Sequence, residues 1–315
     1  MKSKLFIIGN GFDIGHGIKS SYLDFKHWLA LNYPDSTQTE LFSLADYVIA
    51  PDGEEYIGDE DLAAFLVYCM EMTTGGDWSD FENALGEIDW ESFFDELSDV
   101  LDNDGDIDFF KTAYNREDFT TTLSINSTAF SRLFSMWINS LEYPCDIARN
   151  NFLSPPTINN SIFLTFNYTC TLEELYHVPV ENVCHIHGKQ GGPLIIGHDK
   201  PDIYNLDDNM EPTLDFGMEG ISDIHHSLRK PTEKIYKQTQ FFKNLCTETQ
   251  QISDIFSWGF SFSKVDLFYI EKLCQIIDTT GITWHLHDFD PSKISSYTQA
   301  LVSCGFQGKI CTFHA

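Results

Sequence analysis

The stretch LFIIGNGFD, residues 5–13, decides the fold of this chain. Four consecutive apolar residues lead into a glycine-flanked corner, and the apolar residues from Ile14 to about Leu31 recur at helical spacing. This pattern predicts a buried strand, a tight turn and a helix. Such a corner lets a ligand approach the backbone and points helix N-terminal N–H groups at an anion, most often that of a nucleotide. Gly15 falls one position too late for GxGxxG, so an ordinary strand-to-helix turn remains the alternative.

The composition predicts a folded and strongly acidic protein. Of the 315 residues, 42% are hydrophobic and 14% aromatic, so the chain can bury a large core. It carries 19 Lys and Arg against 48 Asp and Glu, a formal net charge of −29. A field of this sign repels nucleic-acid backbones and anionic membranes, so we expect neither as a partner. A nucleotide can still bind where backbone amides supply local positive potential.

The cysteine pattern and the hydropathy pattern predict a cytoplasmic protein. The eight cysteines are scattered without a C-x-x-C pair, which argues against a zinc ribbon or a redox dithiol and favours reduced thiols. We expect no signal peptide before the first strand. The sequence has no run of about 18 apolar residues, so we expect no membrane span.

Residues 33–155 are predicted to form a large helical insertion. Leu, Phe, Trp and Met recur at helical spacing in four segments, 61–73, 78–85, 90–101 and 129–141. Acidic loops separate these segments, among them the loop DNDGD at 102–106. That loop resembles a run of calcium ligands, but Ala113 stands where an EF-hand has its last glutamate, which favours a solvated loop.

Strands and helices alternate from residue 161 onwards. The predicted strands are 161–166, 182–187, 194–197, 252–258, 282–288 and 308–313, and the predicted helices are 169–177, 231–245, 264–279 and 291–304. This alternation is typical of a mostly parallel sheet with helices on both faces. The first strand must join the same sheet, because a lone buried strand is not stable. We therefore predict an α/β, Rossmann-like nucleotide-binding domain made of residues 1–32 and 156–315, with ligands at the carboxyl ends of its strands.

Polar residues follow three of these strands at the predicted ligand edge. Asn167 follows the strand at 161–166, His187 ends the next strand, and Gly259-Phe260-Ser261 forms a second glycine corner after the strand at 252–258. Each has a structural alternative, as a turn residue, a hydrogen-bonded histidine or a helix cap. Their shared position at one end of one sheet favours a common site.

Several motifs together resemble the AbiH family of bacterial abortive-infection proteins over essentially the whole chain. They are IIGNGFDIGHGI (7–18), WSDFE (78–82), TFNYTCTLEELY (165–176), HIHG (185–188), IIGHD (195–199) and SWGFSFSKVD (257–266). This resemblance implies an antiphage role. More distantly, the same segments resemble the sirtuin-type NAD-binding fold, including the sirtuin-like NAD hydrolases of antiphage defence.

The sirtuin resemblance implies which residues bind NAD. The corner at 9–11, with Gly17, resembles the sirtuin GAG corner and its following GI, and residues 165–167 resemble the sirtuin TQN. His187-Gly188 resembles the catalytic HG, and residues 259–261 the late GTS corner. The implied catalytic residues are Asn167 and His187, and the implied NAD contacts are Gly9, Asn10, Gly11, Phe12, Asp13, Gly17, Thr165, Gly259, Ser261 and Asp266.

Two departures from the sirtuin pattern argue against protein deacylation. Thr169 stands where sirtuins have Asp two residues after the Asn, and the paired C-x-x-C motifs of the zinc module are absent. The remaining residues suit hydrolysis of the nicotinamide–ribose bond of NAD, which passes through an oxocarbenium-like centre. In that reaction Asn167 would orient ribose or water, and His187 would act as the base.

Other interpretations remain open on the sequence. The domain could instead bind a nucleotide signal and control a defence-system partner protein without catalysis. The insertion could be a lid, a trigger sensor or a surface for homo-oligomer formation. Nucleic-acid cleavage is disfavoured by the charge and by the lack of a carboxylate metal cluster.

Two histidine pairs raise the question of a metal. His185 and His187 could chelate one with His198 and Asp199, and His285 and His287 could do so with Asp288, because alternate residues of a strand share a face. The catalytic role already accounts for His187, and the sequence identifies no partner for the second pair. We therefore predict no metal.

Overall fold

The computed structural model describes residues 3–37, 44, 48–49, 51, 55–94, 97–144, 150–201, 216–245 and 252–315. Its backbone divides into two units. The sheet unit comprises Met1–Ser21, Ile138–Ile195 and Pro231–Ala315, and the helical unit comprises Tyr22–Trp137 and Ile196–Lys230. The sequence places the boundaries after residues 32 and 155, whereas in this division the helix Tyr22–Asn32 belongs to the helical unit and the sheet unit resumes at Ile138.

The secondary structure of the described residues consists of short strands and short to medium helices. The strands of the sheet unit are β1 (Lys4–Ile8), β2 (Ser161–Thr165), β3 (Val183–His185), β4 (Asp254–Trp258), β5 (Thr283–His287) and β6 (Lys309–Phe313). The helices are α1 (Asn10–Gly15), α2 (Tyr22–Asn32), α3 (Asp59–Thr74), α4 (Phe81–Leu85), α5 (Phe109–Thr128), α6 (Phe130–Ser140), α7 (Pro155–Asn159), α8 (Thr171–Tyr176), α9 (Phe216–Ser227), α10 (Thr232–Gln238), α11 (Gln240–Leu245), α12 (Lys264–Ile276) and α13 (Ile294–Ser303). Short 3₁₀ turns occur at Pro34–Thr37, Glu91–Phe94, Asn151–Leu153, Val180–Asn182 and Pro291–Lys293.

The six strands of the sheet unit form one parallel sheet in the order β3-β2-β1-β4-β5-β6. This is the strand order 3-2-1-4-5-6 of dinucleotide-binding Rossmann folds, and it reverses between β1 and β4. At the carboxyl end of β1, Ile8 lies in register with Thr165 on one side and Trp258 on the other. The predicted α/β, Rossmann-like parallel sheet is confirmed.

Both faces of this sheet are covered, as the continuous apolar run of β1 predicts. Leu5 and Ile7 join one hydrophobic cluster, while Phe6 and Ile8 join another. Alternate residues of a strand point to opposite faces, so the two clusters lie on opposite sides of the sheet. A strand buried on both faces is typical of a parallel sheet between two layers of helices.

The helix predicted from Ile14 to Leu31 is wrong, since the structure has two helices there. α1 ends at Gly15, and Gly17 adopts a left-handed backbone with φ of 75°. Glycine adopts this conformation without steric cost, so it ends the helix. Asn10 and Ser20 fix the segment between the two helices through two hydrogen bonds. Asn10 Nδ2 donates to Ser20 O over 2.9 Å, and Ser20 Oγ donates to Asn10 Oδ1 over 2.5 Å.

Two further elements of the sheet unit differ from the prediction. The described residues 194–197 form no strand, although Ile195 N donates to His187 O over 2.9 Å. The helix predicted at 231–245 is divided into α10 and α11, because Thr239 between them is extended with ψ of 119°.

The helical unit contains a short antiparallel pair of strands, Val48–Ile49 and Glu55–Tyr56. The helices of this unit pack around aromatic side chains. Phe25 lies at the centre, with its ring centroid 4.9 Å from that of Trp137 and 5.6 Å from that of Phe81. Among the described residues, no helix is both long and apolar enough to cross a membrane. The six cysteines that the structure describes are free, and Cys145 and Cys246 lie outside the described residues.

The predicted helices of this unit agree with the structure at three of four places. The segment 61–73 lies within α3, and the segments 78–85 and 129–141 contain α4 and α6. The helix predicted at 90–101 is wrong, because the backbone forms only the 3₁₀ turn Glu91–Phe94 and is irregular at 97–100, while 95–96 lie outside the described residues. α5, the longest of the described helices, was not predicted from the sequence.

A buried histidine fixes the segment that follows residue 195 in the helical unit. His198 is fully buried, and its Nε2 donates to His225 O over 3.0 Å while its Nδ1 accepts from Lys200 N over 3.1 Å. A Cβ on Gly86 would lie 2.6 Å from His198 Cγ, so the glycine admits the ring. Burial, reinforced by nearby His225, lowers the pKa of His198 to about 4.

This histidine should make the stability of the protein depend on pH. The unfolded imidazole titrates near pH 6.5 and the folded one near 4. Between these values the unfolded state binds more protons, so the stabilisation is complete above pH 6.5 and is lost as the pH falls towards 4. We expect the free energy of unfolding to drop by about 2–3 kcal/mol between pH 7 and pH 4.5 from this group.

Urea unfolding at the two pH values measures this drop. His198→Gln keeps a donor for the His225 carbonyl but has no group that titrates in this range. Its free energy of unfolding should therefore drop by about 2–3 kcal/mol less than that of the wild type. Equal drops in the wild type and the variant would contradict the assignment.

Candidate functional site

The two glycine corners meet where the strand order reverses. Gly9 N donates to Trp258 O over 3.1 Å, and Gly11 N donates to Gly259 O over 2.9 Å. A Cβ on Gly259 would lie 2.0 Å from Phe12 N, and a Cβ on Gly11 would lie 2.8 Å from Gly259 Cα. These glycines are therefore required by the close approach of two backbone segments, whereas the sequence analysis attributed the space at the first corner to a ligand.

Asp13, at the end of the first corner, is a fully buried carboxylic acid. Thr169 Oγ1 donates to its Oδ2 over 2.5 Å, and Thr171 Oγ1 donates to its Oδ1 over 2.7 Å. Burial raises the pKa of Asp13, and the hydrogen bonds from Thr169, Thr171 and Asn167 oppose that rise. The acid ties α1 to the turn that follows β2, so the loop that carries Asn167 has a fixed position.

Asn167 presents an unused hydrogen-bond acceptor at the carboxyl end of β2. The residue is 6% exposed, and its Nδ2 donates to Gly9 O over 3.1 Å. None of the residues that the structure describes donates to its buried Oδ1. A buried polar atom without a partner is costly, which points to a water or ligand donor at this position.

His187 lies beyond the end of β3, beside a carboxylate and among three aromatic rings whose centroids are 5.6–6.2 Å from its own. The residue is 2% exposed, and its Nε2 is 3.7 Å from Asp266 Oδ1 in the first turn of α12. Ser263 Oγ donates to Asp266 Oδ2 over 2.9 Å and so holds the carboxylate in place. The separation is too long for a direct hydrogen bond, yet short enough for the carboxylate to balance an imidazolium when the ring accepts a proton.

A second histidine, His185, contacts the loop that carries Asn167. His185 Nε2 lies 2.9 Å from Glu173 Oε1, and its Nδ1 lies 3.4 Å from the carbonyl oxygen of Asn167. Lys189 Nζ lies 3.3 Å from the same Glu173 oxygen. Burial alone would raise the pKa of Glu173, but His185 and Lys189 lower it overall. The pair at 173 and 185 therefore holds the backbone of Asn167, a role the sequence analysis did not predict.

A cleft of about 260 Å³ opens beside the two corners, at the carboxyl ends of β4 and β5. Its lining combines both corners with the loop after β5 and consists of Gly11, Ser257, Gly259, Phe260, Ser261, Phe262, Leu286, His287, Phe289, Asp290, Lys293 and Tyr297. Gly11, Gly259 and Ser261 were predicted from the sequence. The loop after β5 was missed, and its signal was the run DFDPS at 288–292, whose Asp, Pro and Ser residues favour a turn at the end of a predicted strand.

Four other residues implied by the sirtuin resemblance belong to the framework of the corner. Asn10 bonds to Ser20, and Phe12 is fully buried in the core. Gly17 is exposed at the end of α1, and Thr165 Oγ1 accepts from the backbone N–H two residues later over 3.1 Å. These side chains shape the corner and do not line the cleft.

The histidines considered as metal ligands have other surroundings. His285 Nε2 lies 2.8 Å from Asp254 Oδ1, and the His285 ring stacks on Phe256 with centroids 4.3 Å apart. His198 belongs to the helical unit and uses both ring nitrogens there. In the part of the chain that the structure describes, no three His, Cys, Asp or Glu side chains converge as metal ligands.

Sequence comparison agrees with the motifs that build this site. A family model described as Bacteriophage abortive infection AbiH matches residues 5–288, a range that contains both glycine corners, Asn167 and His187. The match covers most of the chain, which therefore belongs to this family. No curated protein and no solved structure matches the chain.

Proposed function

We propose that this AbiH-family protein acts in abortive infection of phage-infected bacteria by binding NAD at the reversal of its strand order and hydrolysing the nicotinamide–ribose bond. The family match supports the antiphage role. The observation that carries the proposed chemistry is the placement of Asn167 and His187 after neighbouring strands, next to the reversal point. Ligands of open parallel sheets bind at this position.

The proposed reaction breaks the bond between C1′ of the ribose and the ring nitrogen of nicotinamide. The bonding electron pair leaves with nicotinamide, whose ring nitrogen becomes neutral, and a water oxygen bonds to C1′ to give ADP-ribose. The water proton passes to His187, and the carboxylate of Asp266, 3.7 Å from His187 Nε2, balances the resulting charge. Asn167 Oδ1 accepts a hydrogen bond from a ribose hydroxyl or from the water, which orients the reacting groups.

The structure also favours a second candidate, nucleotide binding without catalysis. His187 is 2% exposed, and the N–H of Gly11 already donates to Gly259 O. In this second function the nucleotide occupies the cleft beside the two glycine corners and controls a partner protein. His187 then has only a structural role.

Turnover by the purified protein distinguishes the two candidates. We expect incubation with NAD, alone and with lysate of phage-infected cells, to release nicotinamide and ADP-ribose in equal amounts, measured by liquid chromatography. Binding of NAD by calorimetry without release of nicotinamide under either condition would favour the sensing function. The absence of both binding and release would reject both candidates.

A further inference from the structure

An exposed aromatic ring stands at the mouth of the cleft. Phe289 lies two residues after β5 and is 87% exposed. Its ring is nearly parallel to that of His287, with an interplanar angle of 11° and centroids 6.4 Å apart. Two residues of a strand span about 6.6 Å on one face, so the spacing follows from the backbone. Both rings line the cleft.

Two parallel rings at this spacing form a slot for one flat ring. Stacked carbon atoms lie about 3.5 Å apart, so a ring between two others needs about 7 Å. The rings of Trp258 and Phe313 pack beside His287, with centroids 5.5 and 5.3 Å from it, so His287 is the fixed side of the slot. Phe289 is the exposed side, and a shift of its ring by about half an ångström opens the slot fully.

We propose that this slot binds the purine base of the nucleotide, between the rings of His287 and Phe289. The inference rests on the proposed function and adds the orientation of the ligand. The nicotinamide ribose must reach Asn167 and His187, which follow β2 and β3, whereas the slot follows β5, on the other side of β1 and β4. The base in the slot is therefore the adenine, at the end of NAD remote from the reacting bond.

The charge and polarity of the cleft fit this orientation. Lys293 lines the cleft and is exposed, so it provides a cation for the pyrophosphate in a chain of net charge −29. Ser261 supplies a hydroxyl on the side of the glycine corners. The carboxylate of Asp290 also lines the cleft, but its Oδ1 accepts from Ser292 N and Ser292 Oγ, over 3.1 and 2.6 Å, so it is engaged within its own loop.

Calorimetric titration with AMP tests the slot separately from catalysis. We expect Phe289→Ala to weaken AMP binding about 10-fold, since removal of a ring that stacks on a base costs roughly that much. Phe289→Tyr should restore it. Phe110→Ala, at a phenylalanine of the helical unit that is 80% exposed, is the matched control and should bind AMP as the wild type does. Binding of nicotinamide mononucleotide should not change in Phe289→Ala.

The outcomes separate this inference from the proposed function. If NAD is cleaved, Phe289→Ala should raise KM about 10-fold with kcat unchanged. AMP binding that depends on Phe289 without any NAD cleavage would support the slot and reject the hydrolase. Cleavage of NAD with equal KM in wild type and Phe289→Ala, or equal AMP affinity in the two, would overturn the slot and leave the hydrolase intact.

Discussion

His187→Ala and Asn167→Ala should each lower the rate of NAD cleavage by about 10²- to 10⁴-fold, the usual effect of losing a general base or an orienting hydrogen bond. His187 is proposed to take the proton and Asn167 to hold the ribose or the water, so each acts on the same bond-breaking step. The double variant should therefore be no slower than the slower single variant. Protection against phage should be lost in parallel.

A lower rate of NAD cleavage in these variants must be distinguished from a lower stability of the folded protein. Asn167→Ala removes the donor 3.1 Å from Gly9 O, but this carbonyl still accepts from Phe12 N over 2.9 Å, so we expect a cost of only about 0.5–1.5 kcal/mol. His187→Gln keeps a polar side chain beside Asp266 but cannot act as a base, so it should lose rate with little loss of stability.

His285→Ala is the matched histidine control. His285 pairs with Asp254, at the amino end of β4, away from the carboxyl edge where Asn167 lies, so activity should remain. Near wild-type cleavage of NAD by the His187 and Asn167 variants would remove both residues from the reaction.

Gly259→Ala should unfold or strongly destabilise the sheet unit. The backbone of Gly259 is left-handed, with φ of 65°, and the added Cβ would lie 2.0 Å from Phe12 N. A left-handed conformation costs a non-glycine residue about 1–2 kcal/mol, and forcing an extra methyl into packed structure costs about 1–3 kcal/mol more. We expect a loss of roughly 2–5 kcal/mol, a large fraction of the stability of a domain.

Gly15→Ala is the matched control for this effect. Gly15 is the last residue of α1, and a Cβ there would meet nothing within 4 Å. Alanine favours a helix over glycine by about 1 kcal/mol, so this variant should be as stable as the wild type or more stable. Denaturant unfolding of both variants measures the difference, and a Gly259→Ala protein as stable as the wild type would refute the close packing of the two corners.

The sheet was predictable because its strands carry a local signal. Residues 5–8 and 162–164 are short apolar runs bounded by glycine or polar residues, and both strands occur where the sequence indicates. α5 lacks such a signal, since Thr112, Thr120, Asn126 and Ser127 are among its few buried residues. A helix without an apolar stripe is not visible as a periodic pattern.

The site was predictable only in part, because its geometry depends on contacts between distant segments. The edge of the sheet that gathers Asn167 and His187 follows from the alternation of strands and helices. That Gly11 and Gly259 pack against each other depends on β1 and β4 being neighbours, which no local pattern shows. The hydrogen bonds of Thr169 and Thr171 to Asp13 likewise join residues more than 150 positions apart.

The central position of β1 has a consequence for synthesis on the ribosome. β1 is made first, yet both of its neighbours come late, since β2 begins at Ser161 and β4 at Asp254. At about 5–20 residues per second, roughly 12–50 s of translation separate β1 from β4. For that time β1 lacks at least one of its two neighbouring strands, so the nascent chain should depend on a chaperone, and ribosomes stalled before residue 254 should hold protease-sensitive chains.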